Sequence, residues 1–169
     1  MKTNTSLILA SSSPRRRELL QTLGLSFTIQ TSDVDETTAP GYSPKEVVEE
    51  LAMRKAQAVA SRITEGVVLG SDTIVVLGEE ILGKPVDEAD AFRMLSALQG
   101  QEHTVYSGVA LIDAATKRAE VSYSHTRVRI RHLTEKEIEA YIATKEPMDK
   151  AGSYAIQGIG STIVEGING

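Results

Sequence analysis

The chain has 169 residues, 41% hydrophobic and 24% charged, with a formal net charge of -5, enough for one domain with a real core and too acidic for the basic field that general duplex binding requires. It contains no cysteine, which excludes disulfides, thiolate catalysis and cysteine-based zinc sites. Its three histidines, His103, His125 and His132, lack the HxxxH or HExxH spacing of a histidine metal centre, and no apolar run is long enough for a signal-peptide core or a bilayer span, so a cytoplasmic protein with no membrane partner is expected.

In chain order, residues 7–10 predict a short apolar strand. Residues 14–23 predict a helix with Ser13 as its cap, closed by Gly24. Residues 27–31 have strand character. Residues 43–63 predict a long amphipathic helix, with Ser43 as cap and Pro44 at its first position. Residues 67–77 read as a strand region broken at Gly70-Ser71-Asp72, followed by a hairpin turn at Gly78-Glu79-Glu80. A helix is expected over 87–98, ending at Gly100. Two long strands follow, near 104–113 and 119–132, then a helix over 134–144 and a final strand near 162–164. Helices alternate with strands first and a hairpin dominates later, so the expected fold class is α/β with a mixed β-sheet flanked by helices. Asn168-Gly169 is a strong hairpin-turn dipeptide with no strand after it.

Five segments could carry chemistry. Ser11-Ser12-Ser13-Pro14-Arg15-Arg16-Arg17 joins a strand to a helix start, where free N–H groups attract anions. Three arginines there oppose the helix dipole, a conflict an anionic ligand would remove; the alternative is a solvated basic helix start. Asp72 stands between Val67-Val68-Leu69 and Ile74-Val75-Val76-Leu77, where an acid is costly unless paired or bound to metal; a backbone-bonded bulge is the other reading. Lys55 shares a helix face with Leu51 and Val59, so it either snorkels outward or holds a phosphate in a cleft. Asp33-Val34-Asp35-Glu36 offers carboxylates of the kind that bind Mg²⁺, in a loop type that is common anyway. The run from Gly78 to Pro85 imitates a Walker A loop, but Pro85 replaces the metal-binding hydroxyl and Glu79-Glu80 repel phosphate, so that motif is rejected; Lys84 can still reach a phosphate. Arg127, Arg129 and Arg131 read as a solvated strand face, and Asp87 as a helix cap.

In this order the segments Ser11-Ser12-Ser13-Pro14-Arg15-Arg16, Asp35-Glu36, Lys55-Ala56, Gly70-Ser71-Asp72-Thr73, Gly83-Lys84-Pro85 and Glu146-Pro147-Met148-Asp149-Lys150-Ala151-Gly152 leading to Ile156-Gln157-Gly158 resemble the Maf family of nucleotide pyrophosphatases. The resemblance covers nearly the whole chain, 1–169, as a single domain. It implies an elongated, two-lobed fold of the Maf and inosine triphosphatase kind with a central cleft, a homodimer, and a small-molecule nucleotide substrate with no stable nucleic-acid complex. It implies cleavage between the α- and β-phosphates that depends on a divalent cation, Mg²⁺ or Mn²⁺.

Asp72 matches the family's catalytic acid. Mg²⁺ or Mn²⁺ is assigned to Asp72 and Glu36; Ser11, Arg15, Arg16, Lys55 and Lys84 are assigned to the triphosphate, and Thr73 and Gln157 to the base. Arg15, Thr73 and Gln157 fit the branch that hydrolyses dTTP and UTP to monophosphate and diphosphate, a house-cleaning role. The branch acting on 7-methyl-GTP has Trp, Gln and Glu at those places. Rival expectations are 7-methyl-GTP or inosine triphosphate hydrolysis, and a nucleotide-binding regulator of septum formation. Family members continue past the Asn-Gly pair with a strand and a helix, so these are expected to be missing after Gly169.

Overall fold

A computed structural model describes residues 6–31 and 33–169. Among the described residues seven strands form one mixed sheet: β1 (Leu7–Leu9), β2 (Phe27–Ile29), β3 (Val67–Leu77), β4 (Glu80–Leu82), β5 (Glu102–Asp113), β6 (Ala119–Ile130) and β7 (Val164–Asn168). The order is β2-β1-β3-β5-β6-β7, with β4 on β3. β1 is parallel to β2 and β3, whereas β4 on β3 and β7 on β6 are antiparallel. The helices that accompany them in the described residues are α1 (Pro14–Thr22), α2 (Pro44–Ala60), α3 (Glu88–Leu98) and α4 (Glu135–Ala143), with short 3-10 turns at Glu146–Asp149, Ala151–Ser153 and Gly158–Thr162. The mixed α/β class read from the sequence is the one observed.

The chain folds as two compact units. One takes the described residues up to Asp72 together with Ser107–Tyr123, and the other takes Thr73–Tyr106 and Ser124–Gly169. The first unit has its own core of Ile8, Val68, Ala110 and Ile112 on the strands, Ala10 just after β1, and Ala52, Ala56, Val59 and Ala60 on α2. Small residues dominate the α2 side, so helix and strands approach closely. α2 begins with a capping box: the Ser43 hydroxyl accepts from the Glu46 N–H, and the Glu46 carboxylate accepts from the Ser43 N–H at 2.8 Å.

The second unit buries Val75, Leu82, Val128 and Ile130 with Leu95 and Leu98 of α3, Ile138 and Tyr141 of α4, and Tyr154. Asp87 caps α3 through the Asp90 N–H, as its sequence position suggested, and a Thr134–Glu137 capping box starts α4. His103 is buried, with Nε2 2.5 Å from the Tyr154 hydroxyl and Nδ1 without a hydrogen-bond partner. Burial lowers its pKa to about 4.

Three local expectations are corrected. β3 runs unbroken from Val67 to Leu77. Its Gly70 is there for close approach: an added Cβ would lie 2.6 Å from the Ala56 nitrogen and 2.9 Å from the Ala56 Cβ of α2, and would strike the Ala52 carbonyl. Ser13 occupies the N-cap of α1 but its hydroxyl caps nothing; it is the Ser11 hydroxyl that accepts from the Ser13 N–H, at 3.2 Å. Asn168 is not in a turn. It is the last residue of β7, paired with Arg127, so the strand read near 162–164 lies further along the chain.

Candidate functional site

The apolar run of β3 carries Asp72 into the first unit two residues beyond Gly70, on the same strand face. Gly70 lets α2 pack directly on β3 at Ala52 and Ala56, and Gly108 does the same on β5, where a Cβ would come within 3.0 Å of the Val48 Cβ. Lys55 precedes Ala56, so this contact sets it over Asp72. Its ammonium donates to the Asp72 Oδ1 at 2.5 Å and pairs with the Glu36 carboxylate at 2.8 Å. The Lys55 and Asp72 side chains retain only 12% and 9% of their exposure. Lys55 therefore turns inward rather than snorkelling.

Glu36 arrives from the loop after β2. Asp35 turns that loop by accepting from the Thr37 N–H at 2.8 Å, and Arg54 clamps it by donating to the carbonyls of Asp35 and Thr37. Only Glu36 of this acidic run joins the Lys55 cluster. The second member of the carboxylate pair is Asp72, from a distant strand.

The turn between β1 and α1 supplies the opposite charge. Arg16 donates through Nη1 to the buried Ser11 hydroxyl at 3.0 Å. Burial has the largest influence on Arg16 and lowers its proton affinity; Asp72 raises it, Arg15 lowers it and Glu36 raises it, with a net lowering. At Asp72 burial is again the largest influence. It holds the carboxyl above the usual aspartate range although the Lys55 hydrogen bond and charge, and Arg16, oppose it; Glu36 adds to the rise. Ser11, Arg15, Arg16, Glu36, Lys55 and Asp72 thus belong to one neighbourhood in the first unit.

Thr73, Lys84 and Gln157 belong to the second unit. Thr73 follows Asp72 on β3 and is half-buried; Lys84 is exposed in the segment after β4, and Gln157 is exposed ahead of the 3-10 turn Gly158–Thr162. Arg127, Arg129 and Arg131 pair with Glu102, Glu165 and Glu137 at exposed or half-buried positions, as a solvated face does. Among the described residues no group of three or more His, Cys, Asp or Glu is arranged to hold a metal ion. Glu36 and Asp72 nevertheless converge on one cationic point, and two carboxylates are what Mg²⁺ commonly takes from a protein beside waters and substrate phosphates.

Sequence reading missed Glu146 as an individual. Its carboxylate accepts from the Tyr141 hydroxyl and the Gly160 N–H, both at 2.8 Å, and from the Ile159 N–H at 3.0 Å. The spacing of Glu146 from the Gly158-Ile159-Gly160 segment gives no local signal for this contact.

A buried carboxylate held by an ammonium, with arginines gathered at a strand-to-helix turn, is the site this α/β protein presents, and arginines so placed are chemically suited to an anionic ligand. In fold the chain is similar to the solved structure of the Staphylococcus aureus Ham1 protein, with a TM-score of 0.54 over 74% of this chain and 71% of that one at 16% identity. The family model described as Maf-like protein matches residues 6–169, and the chain belongs to the Maf family. It is 53% identical over 163 residues to a dTTP/UTP pyrophosphatase of Pelotomaculum thermopropionicum, covering 96% of this chain and 85% of that protein. Proteins with the same name from Desulforamulus reducens, at 52% identity, and Moorella thermoacetica, at 53%, match over the same share of this chain and over 85% and 84% of their own lengths.

Proposed function

We propose that this chain hydrolyses dTTP and UTP to the nucleoside monophosphate and diphosphate. The observation that carries the reading is the buried Asp72–Lys55 pair, joined by the exposed Glu36 and lying beside Arg16, in a chain more than half identical to proteins named for that reaction.

Phosphoryl transfer asks for charge neutralisation, positioning and an activated nucleophile. Burial makes Asp72 a stronger base than an ordinary aspartate. We assign it the proton of the attacking water: the water oxygen bonds to phosphorus, the bond between the α- and β-phosphates breaks, and diphosphate leaves with that electron pair. Arg15, Arg16 and the Ser11 hydroxyl receive phosphate oxygens, and Lys84 is assigned to the same group. Lys55 holds Asp72 oriented in the free protein and turns its charge to phosphate in the complex.

Glu36 and Asp72 are the residues that would hold Mg²⁺ or Mn²⁺. When bound, the ion supplies neutralisation of phosphate charge and a water of lowered pKa. Thr73 and Gln157 are assigned to the base. A hydroxyl and an amide, donor and acceptor together, suit the alternating O2, N3–H and O4 edge of uracil and thymine.

Equal concentrations of dTTP, UTP, CTP, GTP, ATP and 7-methyl-GTP, with products separated by chromatography, test the reading. The expected result is cleavage of dTTP and UTP ahead of the others, with diphosphate as first product. A purine preference, or orthophosphate released first, overturns it.

A further inference from the structure

Gln157 is exposed, and so are its neighbours Ile156 and Ile159, at 44% and 49%. A side chain that is to discriminate bases needs a backbone that does not wander. Gln157 is the N-cap of the 3-10 turn Gly158–Thr162, yet it makes no side-chain cap hydrogen bond. The turn's first N–H groups must find acceptors elsewhere.

They find Glu146. One carboxylate oxygen takes the Gly160 N–H and the Tyr141 hydroxyl, and the other takes the Ile159 N–H. The glycines around it leave little room for another arrangement. Gly158 has φ +79°, and a Cβ there would come 2.6 Å from the Glu146 Oε2. A Cβ on Gly160 would lie 2.6 Å from the Tyr141 hydroxyl.

The anchor is itself fixed. Tyr141 is buried on α4, and the Lys150 ammonium donates to the Glu146 carbonyl at 2.6 Å and to the Asp149 carboxylate at 2.7 Å. Desolvation pushes the Glu146 carboxyl up, but the Gly160 and Ile159 N–H groups, the Tyr141 hydroxyl and the Lys150 charge together hold it below the usual glutamate range. Its oxygens are occupied by donors from its own unit.

We propose that Glu146 is a positioning residue for base selection: its carboxylate caps the turn from outside and thereby fixes the backbone from which Gln157 reads the pyrimidine edge. This rests on the assignment of Gln157 to the base. Glu146 acts through Gln157 and touches no reacting atom, so its loss should alter selection rather than the chemical step.

Glu146→Gln sets an amide NH₂ against N–H donors that a carboxylate satisfied. We expect the ratio of kcat/KM for UTP over CTP to fall about tenfold, the scale of one misplaced polar contact, with KM for UTP raised and kcat on saturating UTP nearly unchanged. Amide hydrogen exchange at Ile159 and Gly160 should accelerate while the melting transition stays cooperative. Glu146→Asp, which keeps the charge, should recover part of the selectivity.

Tyr141→Phe removes one donor only. It should lower the ratio to a smaller degree, and it serves if Glu146→Gln fails to fold. An unchanged UTP/CTP ratio in Glu146→Gln despite faster exchange overturns the proposal, as does an unchanged ratio in Tyr141→Phe when Glu146→Gln does not fold. A collapse of kcat with the ratio intact does so too, because it would place Glu146 in the chemistry. A wild-type protein with no preference for UTP over CTP instead defeats the assignment of Gln157, and this proposal with it.

Discussion

Burial raises the proton affinity of Asp72 although the Lys55 ammonium lies 2.5 Å away. A carboxyl whose folded pKa is raised contributes stability that is full below its unfolded pKa and is lost as pH rises through the folded value. Once ionised, Asp72 therefore works against folding while serving the proposed chemistry. Asp72→Asn should abolish turnover yet raise the melting temperature at pH 7. The gain should shrink as pH falls below the folded pKa of Asp72, where wild type is protonated as well. Melting curves of both proteins between pH 4 and 8 check this, and each tenfold change in proton affinity is worth about 1.4 kcal/mol. A mutant less stable than wild type across that range would count against burial as the dominant influence. Asp72 was legible as a special residue because a lone acid between two apolar runs has few structural excuses. Lys55 was legible only as a choice between inward and outward, since helical spacing fixes the face of a side chain but not its end point. The loss of Lys55 to solvent is prevented by a glycine on another element, beyond the reach of any local reading.

α2 and β3 meet at that glycine. Pattern reading took Gly70-Ser71-Asp72 as a break because glycine weakens strands and often marks bulges. The strand instead continues, and the missing side chain is used for helix contact. Gly70→Ala should destabilise the protein by roughly 1–3 kcal/mol or more, the usual cost of overpacking, and should cost turnover out of proportion because α2 must lift Lys55 away from Asp72. Denaturation midpoints and initial rates measured together separate the two effects; an alanine variant as stable and as fast as wild type would mean that α2 and β3 do not meet at Gly70. Element boundaries carried by local signals were read well. Ser43 with Pro44, Asp87, and the glycines at positions 24 and 100 mark helix ends through capping or positive φ. What failed had two causes: at the start of α1 the Ser13 hydroxyl caps nothing while the Ser11 hydroxyl, two residues away, accepts from the Ser13 N–H, and elsewhere distant partners decide, with Asn168 held in a strand by Arg127 and Glu146 serving N–H groups 13 and 14 residues further on. Of the carboxylates in the Asp33–Glu36 run, only contact with α2 reveals that Glu36 is the one turned to Lys55.

For the molecule as a whole, the acid limb of stability should bear the mark of His103. Burial brings its folded pKa down to about 4 from an ordinary 6.5. Its contribution is therefore complete above the unfolded pKa and is lost as pH falls from 6.5 towards 4, a total of roughly 3 kcal/mol. His103→Phe cannot titrate and should show a shallower fall of the denaturation midpoint between pH 6.5 and 5, whatever its absolute level. Equal slopes in the two proteins would assign the acid limb to other groups. The division of the chain has a different consequence. The first unit is assembled from the described residues up to Asp72 and from Ser107–Tyr123, with the 34 residues Thr73–Tyr106 between them belonging to the other. During synthesis the carboxylate and ammonium of the Asp72 cluster leave the ribosome well before Gly108, Ala110 and Ile112, which α2 and β1 need for their core. Until those residues emerge, α2 has only part of its partner surface, and its row of small apolar side chains faces water. The nascent chain must therefore pass through an interval in which a half-built core waits for its closing strand, the kind of interval in which chaperones find their substrates.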